Sequence, residues 1–258
     1  MKFIAIIPAR YQSSRFPGKP LAMIGDRPMI QRVYQQVSKC LTDVYVATDD
    51  ERIANAVNSF GGKVVMTRTD HQSGTDRIRE AADKILAGKP DSNDYVIINV
   101  QGDEPFINPE QIMSVMSCFD SENVALATLA RPFDKTRGYD ALADPNMVKI
   151  MFSDQMEALY FSRSVIPYVR GAEKCEWPDK TEYFSHIGIY AYRYETLKEI
   201  TELKRSKHEI AESLEQLRWL DNGYKIKVAI SNYPTIGIDT PADLEEAIKF
   251  VKTFDTNE

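Results

Sequence analysis

Cysteine is scarce in this chain. Cys40, Cys118 and Cys175 stand far apart, with no Cys-x-x-Cys pair, which excludes the usual zinc and disulfide frameworks and suits a reducing compartment, all three thiols reading as structural. No run of 18 apolar residues occurs, and the N-terminus shows no long apolar region followed by a small-residue cleavage site. Neither a membrane span nor a secretory leader is expected, and the chain is read as soluble and cytoplasmic. Basic charge is also short, with 32 Lys and Arg against 38 Asp and Glu and a net charge of −6. That balance argues against nucleic acid as the main ligand, because phosphate-backbone binding needs an extended basic surface. Two common nucleotide signatures are missing as well. No Gly-x-Gly-x-x-Gly follows the first strand, and around Gly18-Lys19 a Walker loop is ruled out by Ser13, where it needs glycine, and by Pro20, where it needs Ser or Thr.

What is present is enough for a full-sized core: 258 residues, 43% of them hydrophobic, as one large α/β domain or one domain with a smaller lobe. Residues 3–7 are five apolar residues in a row, which predicts a strand buried on both faces. The turn-rich loop that follows carries Arg10, Arg15 and Lys19, with Gly18 allowing close backbone approach. In an open α/β sheet the ligand crevice lies outside the carboxyl ends of the strands, so this loop is placed to grip a polyanion such as a nucleoside triphosphate. The competing reading, three ordinary solvated loop cations, is disfavoured because a buried strand feeds the loop directly.

Further along, Ile30, Val33, Tyr34 and Val37 recur at helical spacing behind Asp26, a candidate cap. A second strand is expected at 44–48, and Asp49-Asp50 reads as the cap of the next helix rather than as a metal pair. A short strand at 64–66 leads into a polar loop in which Ser73 and Arg77 are candidate donors to a base or phosphate, whereas His71 alone has no ligand partner at helical spacing. The buried strand 95–100 opens into Gln101-Gly102-Asp103-Glu104-Pro105. A carboxylate there can hold Mg²⁺, which in turn holds phosphate. Strand and helix alternate to about residue 120, which predicts a mostly parallel sheet. After that, strands at 124–130, 147–152, 158–162 and 184–192 predict a mixed-strand lobe, with 171–181 as its tip. Arg163 stands at a strand end and His186 at a strand start; Ile210, Leu214 and Leu217 suggest an apolar helix stripe beside a face of Glu209, Glu212 and Gln216. A last strand is expected at 225–230. Thr240, Pro241 and Asp243 then form a helix start, leaving Asp239 without a structural duty and so a second candidate metal ligand.

Seven ordered segments carry a resemblance: Pro8-Ala9-Arg10-Tyr11-x-Ser13-Ser14-Arg15-x-Pro17-Gly18-Lys19-Pro20, Asp70-His71-x-Ser73-Gly74-Thr75-Asp76-Arg77, Asn99-Val100-Gln101-Gly102-Asp103-Glu104-Pro105, Ala158-Leu159-Tyr160-Phe161-Ser162-Arg163, His186-x-Gly188-Ile189-Tyr190, Leu214-Glu215-Gln216-Leu217-Arg218 and Asp239-Thr240-Pro241. From first strand to last helix the chain resembles the CMP-Kdo synthetases, the 3-deoxy-manno-octulosonate (Kdo) cytidylyltransferases. The resemblance implies a Rossmann-like nucleotidyltransferase fold in one domain over 1–258, with 1–123 mainly nucleotide-binding and about 124–222 supplying the sugar-binding and dimerisation lobe. It further implies a homodimer that couples CTP to Kdo and releases pyrophosphate for lipopolysaccharide synthesis. Position by position it assigns CTP to Arg10, Ser13, Arg15, Lys19, Ser73, Arg77 and Gln101. It assigns Mg²⁺ to Asp103 and Asp239, and the sugar to Arg163, His186, Tyr190, Glu209, Glu212 and Gln216. Two departures are Phe16, where Leu is commoner, and 171–180, which follows no family pattern and bears on lobe and dimer contacts rather than on chemistry.

The chemistry agrees with the charges. An acidic sugar and a triphosphate repel each other, so cations and metal are required, with Lys19 and Arg15 placed to stabilise the leaving pyrophosphate alongside Asp103 and Asp239 as catalytic groups. Two alternatives stay open at this stage. One is activation of a related acidic sugar such as 8-amino-Kdo or sialic acid; the other is a non-catalytic nucleotide-binding protein on the same fold.

Overall fold

The computed structural model describes residues 1–13 and 16–254 and divides into two compact units. The first comprises residues 1–113, 193–201 and 234–258, the second residues 114–192 and 202–233.

The first unit is built on β1 (Lys2–Ala9), where Ile4, Ala5, Ile6 and Ile7 are fully buried as the apolar run requires. Each such aliphatic side chain contributes about 1.5–3 kcal/mol relative to exposure. After the small hairpin of β2 (Met23–Ile24) and β3 (Arg27–Pro28) come β4 (Val44–Thr48), β5 (Lys63–Met66) and β6 (Tyr95–Asn99). The four long strands run parallel in the order β6-β1-β4-β5. The helix Met29–Ser38 buries Met29, Ile30, Val33 and Val37, the expected face. Its cap differs from expectation. Pro28 precedes it, while Asp26 sits in the hairpin turn and pairs with Arg27 and Arg32. Asp50 does cap the next helix, accepting from the Arg52 N–H at 2.9 Å. The helix Gly74–Leu86 starts on a capping box of Ser73 and Asp76.

The chain returns to this unit at its end. Ile238, Ala247 and Val251 pack on Ile24 and Met29, seating the helix Pro241–Phe254 against the hairpin. Thr240 Oγ1 accepts from Asp243 N–H and Asp243 Oδ2 accepts from the Asp239 and Thr240 N–H groups. The cap is filled from within, and the Asp239 side chain plays no part in it.

The second unit holds β7 (Leu126–Pro132), β8 (Lys149–Phe152), β9 (Ala158–Ser162), β10 (Phe184–Arg193) up to Tyr192, and β11 (Lys227–Ile230). β7 pairs antiparallel with β10 and parallel with β11, and β8 pairs antiparallel with β9, the mixed pattern that the loss of alternation predicts. The segment 171–181 is more than a polar tip. Its Trp177 is buried against Leu142 and Tyr183. The expected continuous helix stripe at 210, 214 and 217 does not form. Two short helices, Lys207–Glu212 and Gln216–Asp221, are separated by Ser213 in the left-handed conformation, and Ile210 is exposed while Glu209 is buried.

Candidate active site

The carboxyl ends of β1 and β6, together with the loop after β5, enclose a crevice of about 280 Å³ in the first unit. Arg10, Ser13, Lys19, Ser73, Arg77, Gln101, Asp103 and Asp239 all line it. Arg15 lies outside the described residues. At its centre Lys19 Nζ is 2.7 Å from Asp103 Oδ2 and 3.2 Å from Asp239 Oδ1, with the Lys19 side chain mostly buried. Two backbone features hold these groups in place. The Ile238 N–H donates to the Asp103 carbonyl at 2.9 Å, tying the segment that carries Asp239 to the turn after β6. A Cβ on Gly102 would come within 2.8 Å of the Pro8 carbonyl oxygen, so only glycine lets this turn lie against β1.

Arg77 is less available than its sequence position suggests. Its buried guanidinium pairs with Asp49 at 3.0 Å and donates to Thr67 Oγ1 at 2.6 Å, bracing the loop after β5. Asp49 thus has a duty that pattern reading could not see, because its partner is 28 residues away. His71, unremarkable in sequence, lines the crevice and pairs with Glu80, which also takes the Arg68 N–H at 3.0 Å and Lys84 at 2.7 Å. Burial works to raise the Glu80 carboxyl, but these partners outweigh it and hold the group down to about 2. Next to Asp103, the Glu104 carboxyl is pushed up to about 7 by burial and then by the Asp103 charge.

The residues assigned to the sugar all lie in the second unit. His186 and Tyr190 are ring neighbours at 5.2 Å, and His186 also meets Phe161 edge-on at 5.0 Å. Burial pushes the His186 pKa down to about 3, so the ring is neutral. Tyr190 is buried, with its hydroxyl beside that of Thr128, while its ring packs on Trp219 at 5.0 Å. Arg163 donates to the main-chain carbonyls of Glu212 and Pro145. Glu212 accepts from Ser162 Oγ at 2.6 Å and from the Arg163 N–H at 2.9 Å, which engages it in holding the end of β9. Glu209 is committed elsewhere. It receives two bonds from the buried Arg218 guanidinium, at 2.7 and 2.9 Å, and completes a capping box with Ser206. The polyol-binding face expected of Glu209, Glu212 and Gln216 is therefore not one exposed face: Glu209 and Gln216 are both buried.

A crevice of cations and carboxylates at the carboxyl ends of parallel strands, entered by the N-terminus of a capped helix, is the ligand site of a nucleotide-handling α/β protein. This chain belongs to the cytidylyltransferase family, whose model matches residues 4–226. It is 57% identical over 253 residues to the 3-deoxy-manno-octulosonate cytidylyltransferase of Bacteroides thetaiotaomicron, covering 98% of this chain and 99% of that one. With the protein of the same name from Parabacteroides distasonis it shares 56% identity over 252 residues, 97% and 98% of the two chains. Among solved structures, CMP:2-keto-3-deoxy-manno-octonic acid synthetase complexed with CTP superposes with a TM-score of 0.88 at 42% identity, covering 98% of this chain and 99% of the other. A glucose-1-phosphate thymidylyltransferase from Bacillus anthracis, at 16% identity and a TM-score of 0.63 over 97% of this chain and 95% of that one, shares the fold.

Proposed function

We propose that this chain is an enzyme coupling CTP to 3-deoxy-manno-octulosonate, giving the CMP-sugar and pyrophosphate. The observation that carries the reading is Lys19 held between Asp103 and Asp239 in a crevice that also presents Arg10, Ser13, Ser73 and Gln101. Relatives named for this reaction and a structural neighbour complexed with CTP support it.

The donor set fits Mg²⁺. Asp103 and Asp239 offer hard carboxylate oxygens that already share one cation, and among the described residues no cluster of three acids, histidines or cysteines makes a closed protein cage. Magnesium characteristically takes one or two carboxylates and leaves its other positions to phosphate and water. Bound there, Mg²⁺ would supply Lewis-acid polarisation of the phosphates. The protein's own groups do the rest. Lys19 neutralises phosphate charge, Ser73 and Gln101 donate hydrogen bonds, and Arg77 keeps its loop in place through Asp49. In the second unit Arg163 offers its charge to the sugar carboxylate. The sugar 2-hydroxyl oxygen bonds to the α-phosphorus as the bond to the bridging oxygen breaks, pyrophosphate leaves with that electron pair, and the hydroxyl proton is released. No side chain is assigned as a covalent nucleophile, so a chirally labelled α-phosphate should be inverted; retention overturns direct displacement. A homodimer in a cytoplasmic setting belongs to the same reading, supported by the family resemblance and, for the setting, by three free cysteines.

The deciding assay measures pyrophosphate release from purified protein with Mg²⁺, each nucleoside triphosphate, and 3-deoxy-manno-octulosonate, its 8-amino analogue or sialic acid. Release requiring CTP, Kdo and Mg²⁺ is the expected result. Turnover of the analogue alone would keep the nucleotide site and replace the sugar, and no turnover with any sugar would make the chain a binding protein.

A further inference from the structure

Thr128, in β7, is completely buried, and its hydroxyl lies 2.7 Å from the Ile189 carbonyl oxygen, 3.3 Å from that of Ile187 and 3.0 Å from His186 Nε2. The contacts gather where β10 shifts register against β7 between Ile187 and Tyr190. A hydroxyl has only one proton. Were it turned toward His186, the Thr128 oxygen would sit 2.7 Å from a carbonyl oxygen with no hydrogen between them, a repulsive contact. Turned toward Ile189, it makes a short hydrogen bond, and the Thr128 oxygen is left to accept from the imidazole. Nε2 therefore carries the ring proton. With the ring neutral, Nδ1 carries no proton and is an acceptor, and the residue as a whole is only half-buried.

We propose that Thr128 is a positioning residue that locks His186 in the Nε2–H tautomer, so that His186 accepts a hydrogen bond from a hydroxyl of the sugar instead of pairing with its carboxylate. The second half rests on the sugar reading of His186 given above. It divides the labour between two residues that a charge-based expectation would place together. A neutral acceptor cannot neutralise a carboxylate, which falls to Arg163, whose guanidinium is bonded to main-chain carbonyls and not to an acid.

The test has two readouts. The first is the ¹⁵N–¹H correlation spectrum of the histidine rings in the sugar-free protein, with His186 assigned by its loss in His186→Gln. Wild type should show Nε2 protonated and Nδ1 unprotonated at neutral pH, and Thr128→Val should raise the Nδ1–H population while Thr128→Ser retains the wild-type pattern. The second is steady-state kinetics, in which Thr128→Val should raise the KM for 3-deoxy-manno-octulosonate about tenfold, the value of one hydrogen bond. The KM for CTP should hold, and Thr128→Ser should restore the sugar KM. If the valine variant does not fold, Thr128→Cys, a weaker acceptor, should shift both readouts in the same direction. An imidazolium or an Nδ1–H ring in wild type overturns the tautomer, and an unchanged sugar KM in a variant whose tautomer has shifted overturns the role. A correct tautomer in a protein that turns over no sugar would instead overturn the proposed function, so the two failures are told apart.

Discussion

Lys19 Nζ stands 2.7 Å from Asp103 and 3.2 Å from Asp239, so one ammonium joins the first loop, the turn after β6 and the entry to the last helix. Asp239 enters its helix cap only through its backbone N–H, which donates to Asp243, and an alanine there keeps that bond. Asp239→Ala should therefore leave the melting temperature close to wild type while lowering kcat/KM about 100-fold or more, the scale of losing one group that stabilises transition-state charge. Thermal melts beside pyrophosphate-release kinetics check this, and a large loss of stability would show that the carboxylate is structural.

Glu209 and Arg218 make the opposite case. Both side chains are buried and doubly bonded to each other, so removing one takes from the other its two shortest bonds and leaves only longer ion pairs, Glu215 for Arg218 at 3.4 Å and Arg205 for Glu209 at 3.3 Å. Glu209→Ala should cost about 3–5 kcal/mol, and adding Arg218→Met should recover much of it. Urea unfolding of the single and double variants measures both. A silent single variant would return Glu209 to the ligand-facing residues.

Glu80 links the crevice to acid stability. Its carboxyl is held down to about 2 in the fold, against an ordinary value of 4.5. A depressed carboxylate stabilises fully above its unfolded pKa and loses that contribution as pH falls through the folded one. Between pH 5 and pH 2 the loss should reach about 3 kcal/mol, and Glu80→Gln should flatten this part of the profile. Urea midpoints across that range give the slope, and a Gln variant as acid-sensitive as wild type would contradict the assignment.

Gly102→Ala places a methyl group 2.8 Å from the Pro8 carbonyl oxygen, where neither backbone can yield without moving. A cost of about 1–3 kcal/mol is expected, together with a raised KM for CTP because Asp103 is the next residue. Unfolding and kinetics on the same preparation test the two effects together, and a fully wild-type variant would show that the turn is slack.

Local physics made much of this protein readable in advance. A five-residue apolar run has one economical home, the middle of a sheet, and β1 lies there; the cations of the loop behind it follow from where that strand ends. The closed cap at Thr240 likewise left Asp239 over by simple counting of bonds. Periodicity failed at 209–217, where it suggested one helix with an apolar stripe. A helix pattern cannot register that Glu209 gains more from Arg218 than Ile210 would from burial, nor that Ser213 breaks the run. The partners of Arg77, His71 and His186 were also out of reach. Asp49 meets Arg77 through strand order, Thr128 meets His186 through a slipped register, and Glu80 meets His71 because the loop folds back on the helix it precedes, all properties of the folded chain. Sequence by itself determined which groups carry the charge and which strands form the core. Only tertiary structure decided which of those charges are already spent on one another, because hydrogen-bond partners far apart in the chain are chosen by packing and not by spacing.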